Sequence, residues 1–253
     1  MAWRRRKYRS GWSWLRMFSR DPFAREGGFW KRVRRITLLT VLLLLLSPPT
    51  FVAVYRDVAP PVTPLMVLRL FEGEGLKKTW IPIERISPDV ARAVIALEDN
   101  LFCEHGGFDW GAIFEAAADQ ARGTGGVRGG STISQQTAKN VFLWPGRSFL
   151  RKAIEVPFTG MVEYYWSKRR IMEVYLNVIE WGPGIYGVEA ASQAYFRKPA
   201  SALSRREAAL LAAVLPNPRI WSPARPTRYI VRRANLAVYR IRELGAHQFR
   251  CLR

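Results

Sequence analysis

Hydrophobic and polar positions divide the chain into distinct regimes. Residues 36–55 carry no charge over 20 positions, about the length that a bilayer core demands. Pro48 and Pro49 fall in the second half of this run, so a helix there can bend. Residues 59–64 (A-P-P-V-T-P) read as a stiff linker. Residues 66–71 and 80–83 alternate weakly around E-G-E-G at 72–75, which predicts a short hairpin. From Ser87 onward the spacing turns helical. Val90, Ala93, Val94 and Leu97 share one face of a helix that Ser87 can cap and whose first position suits Pro88. That helix delivers Glu98 and Asp99 at its C-terminal end.

Further helices follow. One is predicted from Asp109 as cap to Arg122, stopped by Gly123. Glycines 123, 125, 126, 129 and 130 describe a mobile loop, after which Ser131 caps a helix through Phe142. Residues 148–166 are helical in pattern, with Pro157 predicting a kink or break. Ser167 opens a helix ending near Asn177, and W-G-P-G-I-Y-G at 181–187 is rich in turns. Short helices are expected around 188–196. Ser204 and Glu207 form a capping box for a helix ending before Pro216, and Thr227 caps a last helix ending at Gly245. Strand signal is almost missing. The predicted class is mainly α, with one all-α domain at 87–245 behind a tail (1–35), an anchor (36–55) and a linker with hairpin (56–86). A short tail (246–253) follows it.

Charge changes the picture of the first segment. The net charge of +20 invites a nucleic-acid reading. Twelve Lys or Arg lie within residues 1–35 against only Asp21 and Glu26, so half of the excess sits directly before the apolar run. That arrangement marks membrane topology, with the basic side in the cytoplasm and the C-terminal domain outside. The basic region is long for a cleaved signal peptide, which favours an uncleaved anchor. The charge remaining after residue 35 suits either a solvated surface or contact with anionic headgroups. The two widely spaced cysteines, Cys103 and Cys251, form neither a metal site nor a disulfide scaffold and read as free thiols, although an oxidising compartment permits a bridge.

The chemistry concentrates in two stretches. E-D-N-L-F-C-E-H-G-G at 98–107 sets paired acids at the end of an apolar helix, and G-G-S-T-I-S-Q-Q-T-A-K-N at 129–140 sets glycines, hydroxyls, amides and one lysine at the start of another. An acid in one wall and a polar cradle in the other suit group transfer. Amides at 130–133 can meet an anion, and Gln135 and Lys139 share one helix face. Asp99 cannot share the direction of Glu98 on a helix, so it braces local structure or a cation. His105 has no second ligand at metal spacing and reads as a hydrogen-bonded structural residue. Glu155 lies four after Arg151, an intrahelical ion pair, and Glu173 beside Arg169 or Arg170 reads as fold support.

Together with R-K-A-I-E at 151–155, K-R-R-I-M-E-V-Y-L-N at 168–177 and F-R-K-P at 196–199, these motifs resemble the family 51 glycosyltransferases. More closely they resemble the monofunctional biosynthetic peptidoglycan transglycosylases. The likeness runs from about residue 60 to 245, and five ordered motifs are far more specific than any one alone. The resemblance implies a lysozyme-like helical fold with a small flexible lobe near the membrane. It implies polymerisation of lipid II into β-1,4-linked glycan with inversion and release of undecaprenyl pyrophosphate. Glu98 takes the role of base, with Glu155 as a second acid that holds phosphate-binding cations or a divalent ion (Mg or Mn). No covalent cofactor is implied. Substrate binding falls to Ser131, Thr132, Gln135, Lys139, Arg147, Arg151 and Lys152. Asp99, Phe102, His105, Gly106, Gln136, Asn140, Glu173, Tyr175 and Asn177 brace the motifs. The implied partners are lipid II, the growing lipid-linked strand, the membrane and proteins of division or elongation, with nucleic acid not among them. The implied place is the bacterial inner membrane, single-pass, with the N-terminus cytoplasmic and the catalytic domain periplasmic. Ser134 stands where threonine is frequent, and Pro157 follows the third motif. No Ser-x-x-Lys or Lys-Thr-Gly occurs, so no transpeptidase activity is expected. A glycan-cleaving enzyme on the same helical core and a non-enzymatic cell-wall scaffold remain the rival readings.

Overall fold

The computed structural model describes residues 26–123, 130–146 and 148–253. The expected basic tail up to residue 25, the glycine loop at 124–129 and Arg147 lie outside the described residues. The chain divides into two units, residues 1–49 and residues 50–253. Helix α1 (Glu26–Tyr55) carries the apolar run and continues through Pro48 and Pro49. Among the described residues it is the one helix long and apolar enough to cross a membrane, over Gly28–Tyr55, and its leucines are exposed.

The second unit is built from helices whose starts are set by local hydrogen bonds. Thr63 caps α2 (Pro64–Phe71) by accepting from the Met66 amide at 3.3 Å. Pro88 opens α3 (Pro88–Glu98), while Ser87, at the cap position, makes no side-chain capping bond. Asp109 caps α4 (Trp110–Ala121) as expected. The cap of α5 (Ile133–Phe142) is Thr132 and not Ser131, because Thr132 and Gln135 close a reciprocal capping box. Ser148 caps α6 (Phe149–Tyr165) and Ser167 caps α7 (Lys168–Val178). After α8 (Val188–Phe196), the Ser204–Glu207 capping box opens α9 (Arg205–Val214) and Thr227 caps α10 (Arg228–Leu244).

One contiguous core holds these helices together. Ala208 to Val214 of α9 are all buried, and α9 packs against α3 and α10. Its run of alanines lets the neighbouring backbones approach closely. On the other side α5 packs against α6 and α7. The last residues of the apolar run, and Val58 after it, are fastened to this core: the Trp166 indole donates to the Val52 carbonyl at 2.7 Å, and Arg170 donates to the carbonyls of Tyr55 and Val58.

Several expectations need correction. The hairpin at 66–83 does not form. Its first half is α2, because Thr63 and Pro64 start a helix that buries Met66, and a six-residue apolar run does not distinguish strand from helix. Its second half, 80–83, forms no strand; two residues just ahead of it form β1 (Lys77–Lys78), which pairs in parallel with β3 (Ile185–Tyr186), itself antiparallel to β2 (Glu180–Gly182). Pro157 does not break α6, which stays one element from Phe149 to Tyr165. The cysteines are not free. Cys103 and Cys251, 148 positions apart, form a disulfide with their Cα atoms 5.5 Å from each other. The fold brings together two thiols whose spacing in sequence says nothing of proximity.

Candidate active site

Glu98 ends α3, and its carboxylate is mostly buried. One oxygen accepts from Arg233 of α10 at 2.8 Å, and the other accepts from the Gln136 amide of α5 at 3.3 Å. Tyr175 of α7 donates to the Gln136 side-chain carbonyl oxygen at 3.1 Å, so α5 and α10 hold the carboxylate of α3 and α7 braces it through Gln136. Burial pushes its pKa up, against the pull of Arg233 and the Gln136 hydrogen bond. Glu98, Asp99, Asn100, Arg240 and Glu243 line a cavity of about 280 Å³.

Asp99 points elsewhere, as expected from its neighbouring position. Its carboxylate accepts from His105 Nε2 at 2.9 Å and from the Ile133 amide at 2.9 Å. The Gly107 amide donates to His105 Nδ1 at 3.1 Å, so Nε2 carries the hydrogen that reaches Asp99. Asp99 and His105 therefore pin the loop after α3 to the start of α5. Phe102 is fully buried, with the Lys168 ammonium 4.7 Å from its ring centre. Gly106 has open space where a Cβ would stand, whereas Gly107 has φ +95 and is enclosed. The Thr132 hydroxyl donates to the Gly107 carbonyl at 2.7 Å.

Lys139 is three residues beyond Gln136 on α5. Its ammonium has no hydrogen-bond or ion-pair partner among the described residues, and burial, with Arg151 and Lys152 nearby, lowers its pKa while Glu155 opposes the shift. Lys139, Asn140 and Arg151 line a cavity of about 370 Å³ with Leu65, Leu143 and Trp144. Glu155 is buried and holds Arg151 at 2.6 Å and Lys152 at 2.5 Å. Two cations thus share one carboxylate and leave a net positive group beside an unpaired lysine. Both oxygens of Glu155 are engaged, and among the described residues no three His, Cys, Asp or Glu side chains converge. These residues do not fit a protein-held divalent ion.

The remaining expected residues brace the site. Thr132 and Gln135 are buried and close the capping box that starts α5, and neither is among the residues that line the two cavities. The Ser131 carbonyl accepts from Gln136, and the Asn140 amide donates to the Gln136 carbonyl. Glu173 pairs with Arg170, and Asn177 exchanges two hydrogen bonds with the Ile81 backbone at 3.0 and 2.9 Å. Arg147 lies outside the described residues. Sequence reasoning missed Arg233. It also missed Glu163, which accepts from Ser134 and from Lys168 beside Gly107.

Comparison with known proteins shows the family. Residues 66–242 match the family model described as Transglycosylase. The chain is 51% identical over 208 residues to a biosynthetic peptidoglycan transglycosylase of Caulobacter vibrioides, covering 82% of this chain and 90% of that relative. It is 54% identical over 203 residues to the protein of that name from Rhodospirillum centenum, covering 80% and 87%. With the one from Bdellovibrio bacteriovorus it shares 50% over 218 residues, covering 84% and 87%.

Proposed function

Because this chain belongs to the transglycosylase family, we propose that it polymerises lipid II, lengthening a lipid-linked glycan strand and releasing undecaprenyl pyrophosphate. It is a peptidoglycan glycosyltransferase. The observation that carries the finer reading is the pairing on α5: Gln136 holds the Glu98 carboxylate, and one turn on Lys139 offers an unpartnered ammonium.

Glu98 takes the proton of the acceptor sugar hydroxyl as that oxygen bonds to the anomeric carbon of the donor. The bond from that carbon to the pyrophosphate breaks, and the electron pair leaves on the phosphate oxygen. Lys139, Arg151 and Lys152 stabilise the charge that develops there. Attack from the face opposite the leaving group inverts an α-linked donor to a β-1,4 product in one displacement. Ser131, next to the start of α5, and Arg147 are assigned to the donor side as well. Asp99, His105 and Glu155 position these groups. The donor's lipid tail has an apolar approach: exposed Phe149 and Leu150 precede Arg151, and Trp144 of the cavity is half exposed.

The anchor reading places α1 in the bacterial inner membrane with the catalytic domain outside the cytoplasm. The basic residues before the span and the Cys103–Cys251 bridge, a bond that persists in oxidising compartments, both support it. Proteins of division or elongation belong to the same reading as partners. Residues 1–253 include no Ser-x-x-Lys or Lys-Thr-Gly, so they are expected to leave the strand uncrosslinked.

The test is polymerisation of labelled lipid II by the detergent-solubilised protein. Glu98→Gln is expected to lower the rate by about 10²–10⁴-fold. Polymer formed equally by both forms would remove Glu98 as base, and reducing ends released from purified sacculi would mark a cleaving enzyme instead. In the same assay, EDTA is expected to leave the rate within about threefold, because lysine and arginine supply the neutralising charge. A rate that collapses under EDTA and returns with Mg²⁺ would overturn that assignment.

A further inference from the structure

A third, larger cavity of about 570 Å³ lies away from the reaction site. The start of α3, the end of α10 and the 3₁₀ turn His247–Leu252 form it. Glu98 is at the opposite end of α3, about 15 Å along an 11-residue helix. Nothing in the proposed reaction uses this cavity. We propose that it is a docking site for an acidic, amphipathic peptide segment of a partner protein.

Its floor is apolar and its rim is cationic. Ile86, Ala91, Ile241 and Phe249 line the floor. Arg92, Arg169, Arg205, Arg242 and Arg253 surround it, and Glu84 is the acidic residue in the lining. The guanidinium groups are only partly satisfied. Arg169 pairs with Glu84, while Arg92 and Arg205 divide one oxygen of Asp89 at 3.3 and 3.4 Å. The Arg242 side chain has no hydrogen bond or ion pair among the described residues. A guanidinium presents a planar fork that matches a carboxylate, and apolar side chains beside it match the floor. A segment with Asp or Glu flanked by Leu or Phe complements both features.

The site is also preformed. Arg169 donates to the Leu252 carbonyl at 2.5 Å, Phe249 is buried against the core, and the Cys103–Cys251 bond ties the same wall to the loop after Glu98. A wall held this way loses little freedom when a ligand enters, which favours affinity. The exposed apolar side chains Phe71 on α2 and Phe149 and Leu150 on α6 line no part of this cavity. The combination of apolar floor and arginine rim fits a protein segment that carries both kinds of side chain.

The experiment is selection of a random dodecapeptide phage library on the full-length protein in detergent. The expected winners combine Asp or Glu with Leu or Phe. A synthetic winner should bind the Arg205→Glu, Arg242→Glu double variant roughly tenfold or more weaker, as expected for lost charge-assisted hydrogen bonds. The same peptide with Lys in place of its acids should bind that variant better than wild type. Both arginines are exposed, and the variant is expected to polymerise lipid II and melt like wild type. Winners without acids, or a winner indifferent to the double variant, would overturn the proposal. Displacement of the peptide by phosphatidylglycerol nanodiscs, lost in the same variant, would assign the cavity to anionic lipid instead.

Discussion

Glu98 and Lys139 are tuned in opposite directions by the same burial. The carboxylate of Glu98 is raised, so its ionised form is lost at a higher pH than for an ordinary glutamate. Lys139 is lowered, so its cation is lost at a lower pH than for an ordinary lysine. If the first must be ionised and the second protonated, kcat/KM for lipid II is bell-shaped, with both limbs drawn inward. Arg233 counteracts the rise at Glu98. Arg233→Met is expected to move the acidic limb to higher pH and leave the alkaline limb in place. An acidic limb that stays put would exclude Arg233 as the residue that keeps Glu98 ionised. At this scale much was legible in the chain. Asp99, His105, Arg151 and Glu155 sit within local motifs, and their partners are a few residues away or on the next motif. Arg233 was not legible by name, because it is one of five arginines on α10. A signal existed all the same. Ile230, Ala234, Ala237 and Ile241 mark the inward face of that helix, and Arg233 lies three after the first and four before the third, on its flank.

Caps are what the chain announces best at the scale of elements. Asp109, Ser167, Ser204 and Thr227 all cap the helices expected of them, because a hydroxyl or carboxylate before an apolar period has a direct hydrogen-bonding consequence. The two-residue strands β1 and β3 carry no period to read, and they form only because residues 77 and 185 meet in the fold. Glycine roles are similarly hidden. Both Gly106 and Gly107 belong to the motif, yet only Gly107 is constrained: at φ +95 an added Cβ would stand 2.8 Å from Glu163 Cγ and 3.0 Å from Thr159 Cγ2. Gly107→Ala should therefore cost about 1–3 kcal/mol. Gly106→Ala, with nothing within 4 Å, should leave the thermal midpoint unchanged. Equal midpoints for the two variants would show that the loop after α3 adapts freely.

The largest structural gap between sequence and molecule is the Cys103–Cys251 bond. Helical content and the order of elements follow from local pattern, but which distant segments touch does not. The bond closes a loop spanning 148 positions, and it joins the loop after α3 to the turn at 247–252. A Cys103→Ser, Cys251→Ser variant is expected to lose about 2–4 kcal/mol in urea unfolding of the catalytic domain. Wild type in reductant should match the variant. A variant as stable as oxidised wild type would show that the bond adds nothing to what packing already holds.

That bond also imposes an order of events on the chain as it is made. Cys103 emerges early, directly after Glu98, but its partner emerges 148 positions later. A growing polypeptide can bury α3 and join Asp99 to His105 long before residue 251 exists. It cannot lock the loop behind Glu98 until almost all of the domain has been synthesised and has met an oxidant. Maturation of the reaction centre is therefore a late step, timed by the arrival of the C-terminal turn.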